Sequence, residues 1–205
     1  MDIARLLTGL LTMALLAALP RAADAQSPAT ETILFVRHGE KPAAGLGQLD
    51  CRGLNRALAL PAVLAAYGTI DAIFAPDPSH RMKDKGQLYD YVRPLATIEP
   101  TAIRLGLPVD TSLAATDVEG LRTALERPAL RAARIVVAWE HTEIVAVARA
   151  LVAAHGGDPA KVPAWDENDF DSIYRVTFVR SGNDATVSFE IGHEGLNGQS
   201  ATCPG

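Results

Sequence analysis

The chain has 205 residues, of which 48% are hydrophobic and 21% charged, and a formal net charge of −5 at pH 7. That length and apolar content suit one domain with a substantial core, and the acidic balance argues against a nucleic-acid partner, whose phosphates reward a basic face. Its two cysteines, Cys51 and Cys203, lack the clustered thiolates and imidazoles of a zinc site.

Arg5, the apolar run Leu6 to Leu19, and Ala23-Asp24-Ala25 have the order of a secretory signal peptide, so residues 1–25 are expected to be removed. The apolar run is shorter than the ~20 residues that a membrane span needs, and no later stretch approaches that length. An uncleaved N-terminal anchor is the alternative. Residues 26–205 then form a single domain of a periplasmic or secreted protein. In that compartment an even pair of cysteines is more often bridged than reactive, so a Cys51–Cys203 disulfide is expected. The alternative, a catalytic Cys51, has no base beside it in sequence.

Residues 26–31 read as a polar lead-in, and Thr32 to Val36 as a strand buried on both faces. His38 to Leu49 carries Gly39, Pro42, Gly45 and Gly47 and reads as a loop. Apolar residues at near-helical spacing predict a helix over Arg52 to Tyr67, stopped by Gly68, and Asp71 to Ala75 is the second strand. This βαβ opening favours a mostly parallel sheet with covering helices.

Pro76 to Gln87, with two prolines, a glycine and the basic residues His80, Arg81, Lys83 and Lys85, reads as a long loop of the kind that often carries function. Tyr89 to Leu105 reads as mainly helical, with Pro94 and Pro100 in first turns or breaking it, and Asp117 to Leu125 as a short helix capped by Thr116 or Asp117. Ile135 to Trp139 is the third buried strand, and after it comes a helix over Thr142 to Ala154. Ser172 to Val179 and Ala185 to Ile191 flank Ser181-Gly182-Asn183-Asp184 as a hairpin. The expected fold is a three-layer α/β/α sandwich with a mostly parallel central sheet and an antiparallel C-terminal strand pair.

His38 and His141 each come directly after a buried strand, and in open α/β sheets the carboxyl ends of the strands are where ligands bind. A single loop histidine is more often a surface or hydrogen-bonded group than a catalyst. Two in equivalent positions, one beside Arg37, favour a site.

Val36-Arg37-His38-Gly39-Glu40 resembles the signature of the histidine phosphatase superfamily, in its phosphoglycerate mutase-like branch. Three further blocks appear in order. Leu49 to Ala57 resembles the start of that family's first helix, and Arg93-Pro94-Leu95-Ala96-Thr97 with Leu105-Gly106-Leu107-Pro108 resembles the block holding its second phosphate-binding arginine. Val136 to His141 stands where its second catalytic histidine falls. The resemblance spans roughly residues 32–191.

The resemblance implies that His38 attacks phosphorus, forming a phosphohistidine that water then hydrolyses. It gives Arg37 and Arg93 the non-bridging phosphate oxygens, which the guanidinium fork matches bidentately, and gives His141 the charge of the transferring group. Arg81 is the rival for the second arginine. No metal or other cofactor is implied, and the partner is a small phosphorylated substrate. Physically, His38 needs one ring nitrogen free and the other donating, with a carbonyl near Gly39 as acceptor.

Trp139-Glu140 departs from the small residues common before the second histidine, which leaves the proton donor to the leaving group open among Glu140, Glu143, Glu40 and Asp117. Glu140 is favoured as nearest His141, with an arginine-paired structural role as its alternative. The stretch Trp165 to Tyr174 is expected to pack its aromatics beside the last strands with its acids in solvent. His80, His155 and His193 receive no role. The leading expectation is an exported, metal-independent phosphatase acting on a phosphomonoester. The alternative is a non-catalytic phosphate-ligand or partner-binding protein of the same fold, and a phosphoglycerate-type mutase is disfavoured because export separates it from glycolytic substrates.

Overall fold

Strand β1 (Ala29–Arg37) sets the architecture, because its alternating side chains enter two separate cores: Ile33 and Phe35 on one face, Leu34 and Val36 on the other. The computed structural model describes residues 29–181 and 184–205, so the expected signal peptide and the tip of the C-terminal hairpin lie outside the described residues. The other elements are α1 (Cys51–Ala65), β2 (Ala72–Phe74), β3 (Arg81–Asp84), β4 (Gln87–Asp90), α2 (Arg93–Leu105), β5 (Val109–Asp110), α3 (Val118–Leu125), β6 (Arg134–Trp139), α4 (His141–Ala154), β7 (Ser172–Ser181) and β8 (Asp184–His193).

The main sheet has the order β5-β2-β6-β1-β7-β8. Strand β1 pairs parallel with β6 and β6 with β2, whereas β7 runs antiparallel to both β1 and β8. The parallel strands are the continuous apolar runs of the sequence, as burial on both faces requires. Helices α1 and α2 pack Leu60, Leu64, Ile98 and Ala102 over one face, and α3 and α4 pack Leu121, Leu125, Val147 and Leu151 over the other. This is the expected three-layer sandwich with its antiparallel C-terminal pair.

Two expectations change. The stretch expected as a loop over Pro76 to Gln87 contains strand β3 and leads into β4, a separate two-stranded sheet. Its turn, Lys85-Gly86, places both residues at positive φ, 47° and 87°, the geometry of a tight hairpin turn. Tyr89 and Asp90 therefore belong to β4, and α2 begins only at Arg93, with Pro94 in its first turn and Pro100 in its interior. The lead-in also becomes strand from Ala29, where buried Glu31 accepts from Arg180 at 2.5 Å.

The bridge Cys51–Cys203 is formed, with its Cα atoms 4.6 Å apart. It fixes the C-terminal tail on the first turn of α1, where Asn55 Nδ2 donates to the carbonyls of Ser200 and Thr202. No described helix is long and apolar enough to cross a membrane.

Candidate active site

The parallel register of β1 and β6 places Arg37 opposite Trp139, so the residues just beyond each strand emerge side by side. The His38 amide donates to the Trp139 carbonyl at 3.1 Å, which continues the pairing one step past β1. The same end of the sheet therefore presents His38 from one strand and Glu140-His141 from the other.

His38 is 2% exposed, and its Nδ1 lies 2.8 Å from the Gly39 carbonyl oxygen. A carbonyl only accepts, so Nδ1 carries the hydrogen and the Nε2 lone pair is free. Burial, then the charge of Arg93, lowers the His38 pKa to about 3, so the ring is neutral at physiological pH.

The loop after His38 is held by contacts that leave no room for larger residues. A Cβ on Gly39 would stand 2.9 Å from Gly53 Cα, and one on Gly53 would collide with the Glu40 carbonyl oxygen. The Gly39 amide donates to Thr97 Oγ1 at 2.9 Å, and that hydroxyl donates to the Arg93 carbonyl at 2.8 Å. The spacing Arg93 to Thr97 is one helical turn, so the start of α2 holds both the loop and its own arginine in place.

Arg37 and Arg93 are 3% and 5% exposed. Arg37 Nη1 donates to the Glu167 and Asp169 carbonyls at 2.7 and 2.8 Å, and its guanidinium carbon lies 4.0 Å from the centroid of the Phe170 ring. Arg93 Nη1 donates to Asp84 Oδ2 at 2.5 Å, and its guanidinium lies over Tyr91 at 4.8 Å. The Nε–H of each arginine is buried without a hydrogen-bond partner among the described residues. Arg81, the rival, is exposed on β3 and occupied with Asp90 and the Leu88 carbonyl.

Glu140 is the N-cap of α4: its Oε2 accepts from the amides of Thr142 and Glu143 at 2.7 and 3.1 Å. Its Oε1 lies 2.5 Å from His141 Nδ1, a close contact off the hydrogen-bond line. Burial raises the Glu140 pKa, but the contact with His141 and the two amides outweigh it and hold the group at about 2. The balance favours the ionised carboxyl. The other three candidate acids divide. Glu40 makes a two-pronged pair with Arg56, Asp117 caps α3 through the Gly120 amide, and Glu143 has its pKa raised by burial and by the Glu140 charge.

Searches against family models and curated proteins match nothing, but solved structures do match. The SixA protein of Nakamurella multipartitia superposes with a TM-score of 0.55 at 15% identity, over 82% of this chain and 98% of that one. A mycobacterial glucosyl-3-phosphoglycerate phosphatase in complex with inorganic phosphate gives 0.53 at 17% identity, over 78% and 95%. The phosphoglycerate mutase of Plasmodium falciparum gives 0.52 at 12% identity, over 78% and 89%. The chain has the histidine phosphatase fold.

On this histidine phosphatase fold, several residues that sequence reasoning passed over surround His38. The Tyr91 ring stands edge-on to the imidazole and the Phe170 ring is tilted to it, each with centroids 6.1 Å away. Asp84 reaches Arg93 from the hairpin, and the 166–169 backbone receives Arg37. Trp165 does pack on Tyr174, as expected of that stretch, but Asp171 is buried and Asp169 bonds Ser172. Among the described residues no group of three or more His, Cys, Asp or Glu is placed to hold a metal ion.

Proposed function

We propose that the protein is an exported phosphatase that hydrolyses a phosphomonoester through a phosphohistidine at His38. The observation that carries this reading is a buried, neutral imidazole with Nε2 free, set beside two buried guanidiniums whose Nε–H groups have no hydrogen-bond partner among the described residues. Removing donors from water without giving them an acceptor is costly, and an anion supplies the acceptor.

In this reading Nε2 of His38 attacks phosphorus, the P–O ester bond breaks, and the leaving oxygen takes a proton from an acid. Water then attacks the phosphohistidine, the N–P bond breaks, and inorganic phosphate leaves with His38 neutral again. Arg37, Arg93 and His141 face the charge on the transferring group. Glu140, held as an anion, serves as the partner that fixes His141 in the catalytic set. Glu143, the carboxyl whose pKa is raised, is the better proton donor on chemical grounds. The signal-like segment 1–25 and the formed Cys51–Cys203 bridge support export.

The ionised state of Glu140 favours a second reading, a phosphate-ligand protein that keeps the cradle without turnover. The two readings separate in one assay. Protein lacking residues 1–25 is given p-nitrophenyl phosphate and a panel of sugar phosphates in EDTA over pH 4 to 8, beside His38→Ala. Phosphate release by wild type alone, with acid-labile phosphate trapped on the protein, supports catalysis. Thermal protection by vanadate without release from any ester supports the binding protein.

A further inference from the structure

Tyr91 lies between β4 and α2, with its amide donating to the Pro78 carbonyl at 2.9 Å. It is 1% exposed, and its hydroxyl oxygen is buried with no hydrogen-bond partner among the described residues. A buried tyrosine ordinarily finds a partner for its O–H, so an orphaned one calls for an explanation. Its ring is edge-on to His38 and lies beneath the Arg93 guanidinium. Burial is the largest influence on the phenol and raises its pKa, while the charge of Arg93 and a side-chain contact with its guanidinium lower it; a guanidinium only donates, so the hydroxyl hydrogen still lacks an acceptor among the described residues. The hydroxyl is thus a neutral donor among the groups assigned to the phosphoryl cradle.

We propose that the Tyr91 hydroxyl is a catalytic residue of this site, donating a hydrogen bond to a non-bridging oxygen of the phosphoryl group while His38 holds or attacks it. The inference rests on the phosphatase reading of the same cradle. It adds a neutral third donor beside Arg37 and Arg93. The O–H, with no acceptor among the described residues, gains one when the phosphoryl group is bound, so its contribution falls on the bound and transition states. No proton leaves the tyrosine, since a phenol kept neutral by burial is a donor and not the acid for the leaving oxygen.

The test is Tyr91→Phe, which keeps the ring against His38 and Arg93 and removes only the oxygen. Thermal midpoint without ligand, kcat/KM on the best ester from the panel, and the orthovanadate inhibition constant are measured on wild type, Tyr91→Phe and His38→Ala. The expected result is a Tyr91→Phe midpoint equal to or above wild type, with kcat/KM lower by about tenfold or more and vanadate binding weaker by a similar factor. Wild-type kcat/KM and vanadate affinity in Tyr91→Phe overturn the inference and leave the phosphatase reading standing. A lowered midpoint in the absence of ligand also overturns it, because the hydroxyl then has a structural partner. A wild type that neither turns over nor binds vanadate sinks the phosphatase reading itself, and the role of Tyr91 with it.

Discussion

Asp84 Oδ2 accepts from Arg93 Nη1 at 2.5 Å while its Oδ1 accepts from Lys41 Nζ at 3.1 Å, so one buried carboxylate joins the hairpin, the loop after β1 and the start of α2. A Cβ on Gly45 would collide with the Asp84 carboxyl group, which shows how closely that loop is laid on the hairpin. Asp84→Ala leaves the buried Nη1 of Arg93 without its acceptor. It is expected to destabilise the fold by about 2–4 kcal/mol and to raise KM more than it lowers kcat, because the guanidinium loses its orientation and the imidazole is untouched. Urea denaturation and Michaelis kinetics on the variant check both effects, and an unchanged KM would show that Arg93 does not need Asp84.

Arg56 is fully buried on α1 and holds three carboxylates: Glu40 through Nε and Nη2 at 2.9 and 2.8 Å, Glu194 at 2.6 Å and Asp171 at 3.6 Å. These partners come from the loop after His38, the end of β8 and the stretch before β7. Arg56→Lys keeps one charge but cannot serve them all, since an ammonium lacks the planar fork. The variant is expected to lose about 3 kcal/mol or more of unfolding free energy, with Arg56→Ala losing at least as much. A loss below about 1 kcal/mol in chemical denaturation, the scale of an exposed ion pair, would show the cluster to be solvated in solution.

The strands and the histidines they carry were legible because β1 and β6 are unbroken apolar runs, and adjacent parallel strands necessarily deliver the residues at their carboxyl ends to one place. The hairpin β3–β4 was not, because its charged residues mimic a solvated loop: Arg81, Lys83 and Lys85 face out while Asp84 turns in. Only the tight turn at Lys85-Gly86 signalled it, and lysine is an unusual residue at positive φ. Tyr91 and Phe170 reach His38 from segments with no periodic pattern, so nothing local marks them. Arg56 sits on the apolar face of an amphipathic helix, and its burial makes sense only once Asp171 and Glu194, distant in sequence, are brought to it beside Glu40.

The Cys51–Cys203 bridge closes a loop with a sequence separation of 152 residues. The loop-entropy estimate for such a length is about 5 kcal/mol, but Cys203 lies beyond the last strand of the sheet, and a reduced segment after β8 can detach without the domain unfolding. Cys51→Ser with Cys203→Ser is therefore expected to lower unfolding free energy by a smaller amount, about 2–4 kcal/mol. The amides of Leu196 to Thr202 should exchange faster with solvent than those of β1. Calorimetry with and without reductant, together with hydrogen exchange, measures the two effects separately.

Glu194 gives the fold a pH dependence of definite sign. Its Oε2 is bonded to Arg56, but Oε1 is buried without a hydrogen-bond partner among the described residues. Burial is the largest influence and raises its pKa, Arg56 opposes that, and the charges of Asp171 and Glu40 add to it, leaving the group at about 7. A carboxyl whose folded pKa is raised stabilises the fold fully below its unfolded value of 4.5, and that contribution is lost as pH rises through about 7. The shift corresponds to about 3 kcal/mol of unfolding free energy lost on going from about pH 4.5 to 8, as an order of magnitude. His193, whose Nδ1 lies 3.9 Å from Asp171, faces the same cluster. Glu194→Gln keeps an acceptor for Arg56 and removes the ionisation, so urea unfolding at about pH 5 and pH 8 is expected to show a smaller difference for the variant than for wild type. Equal slopes in the two proteins would assign the pH dependence to other groups.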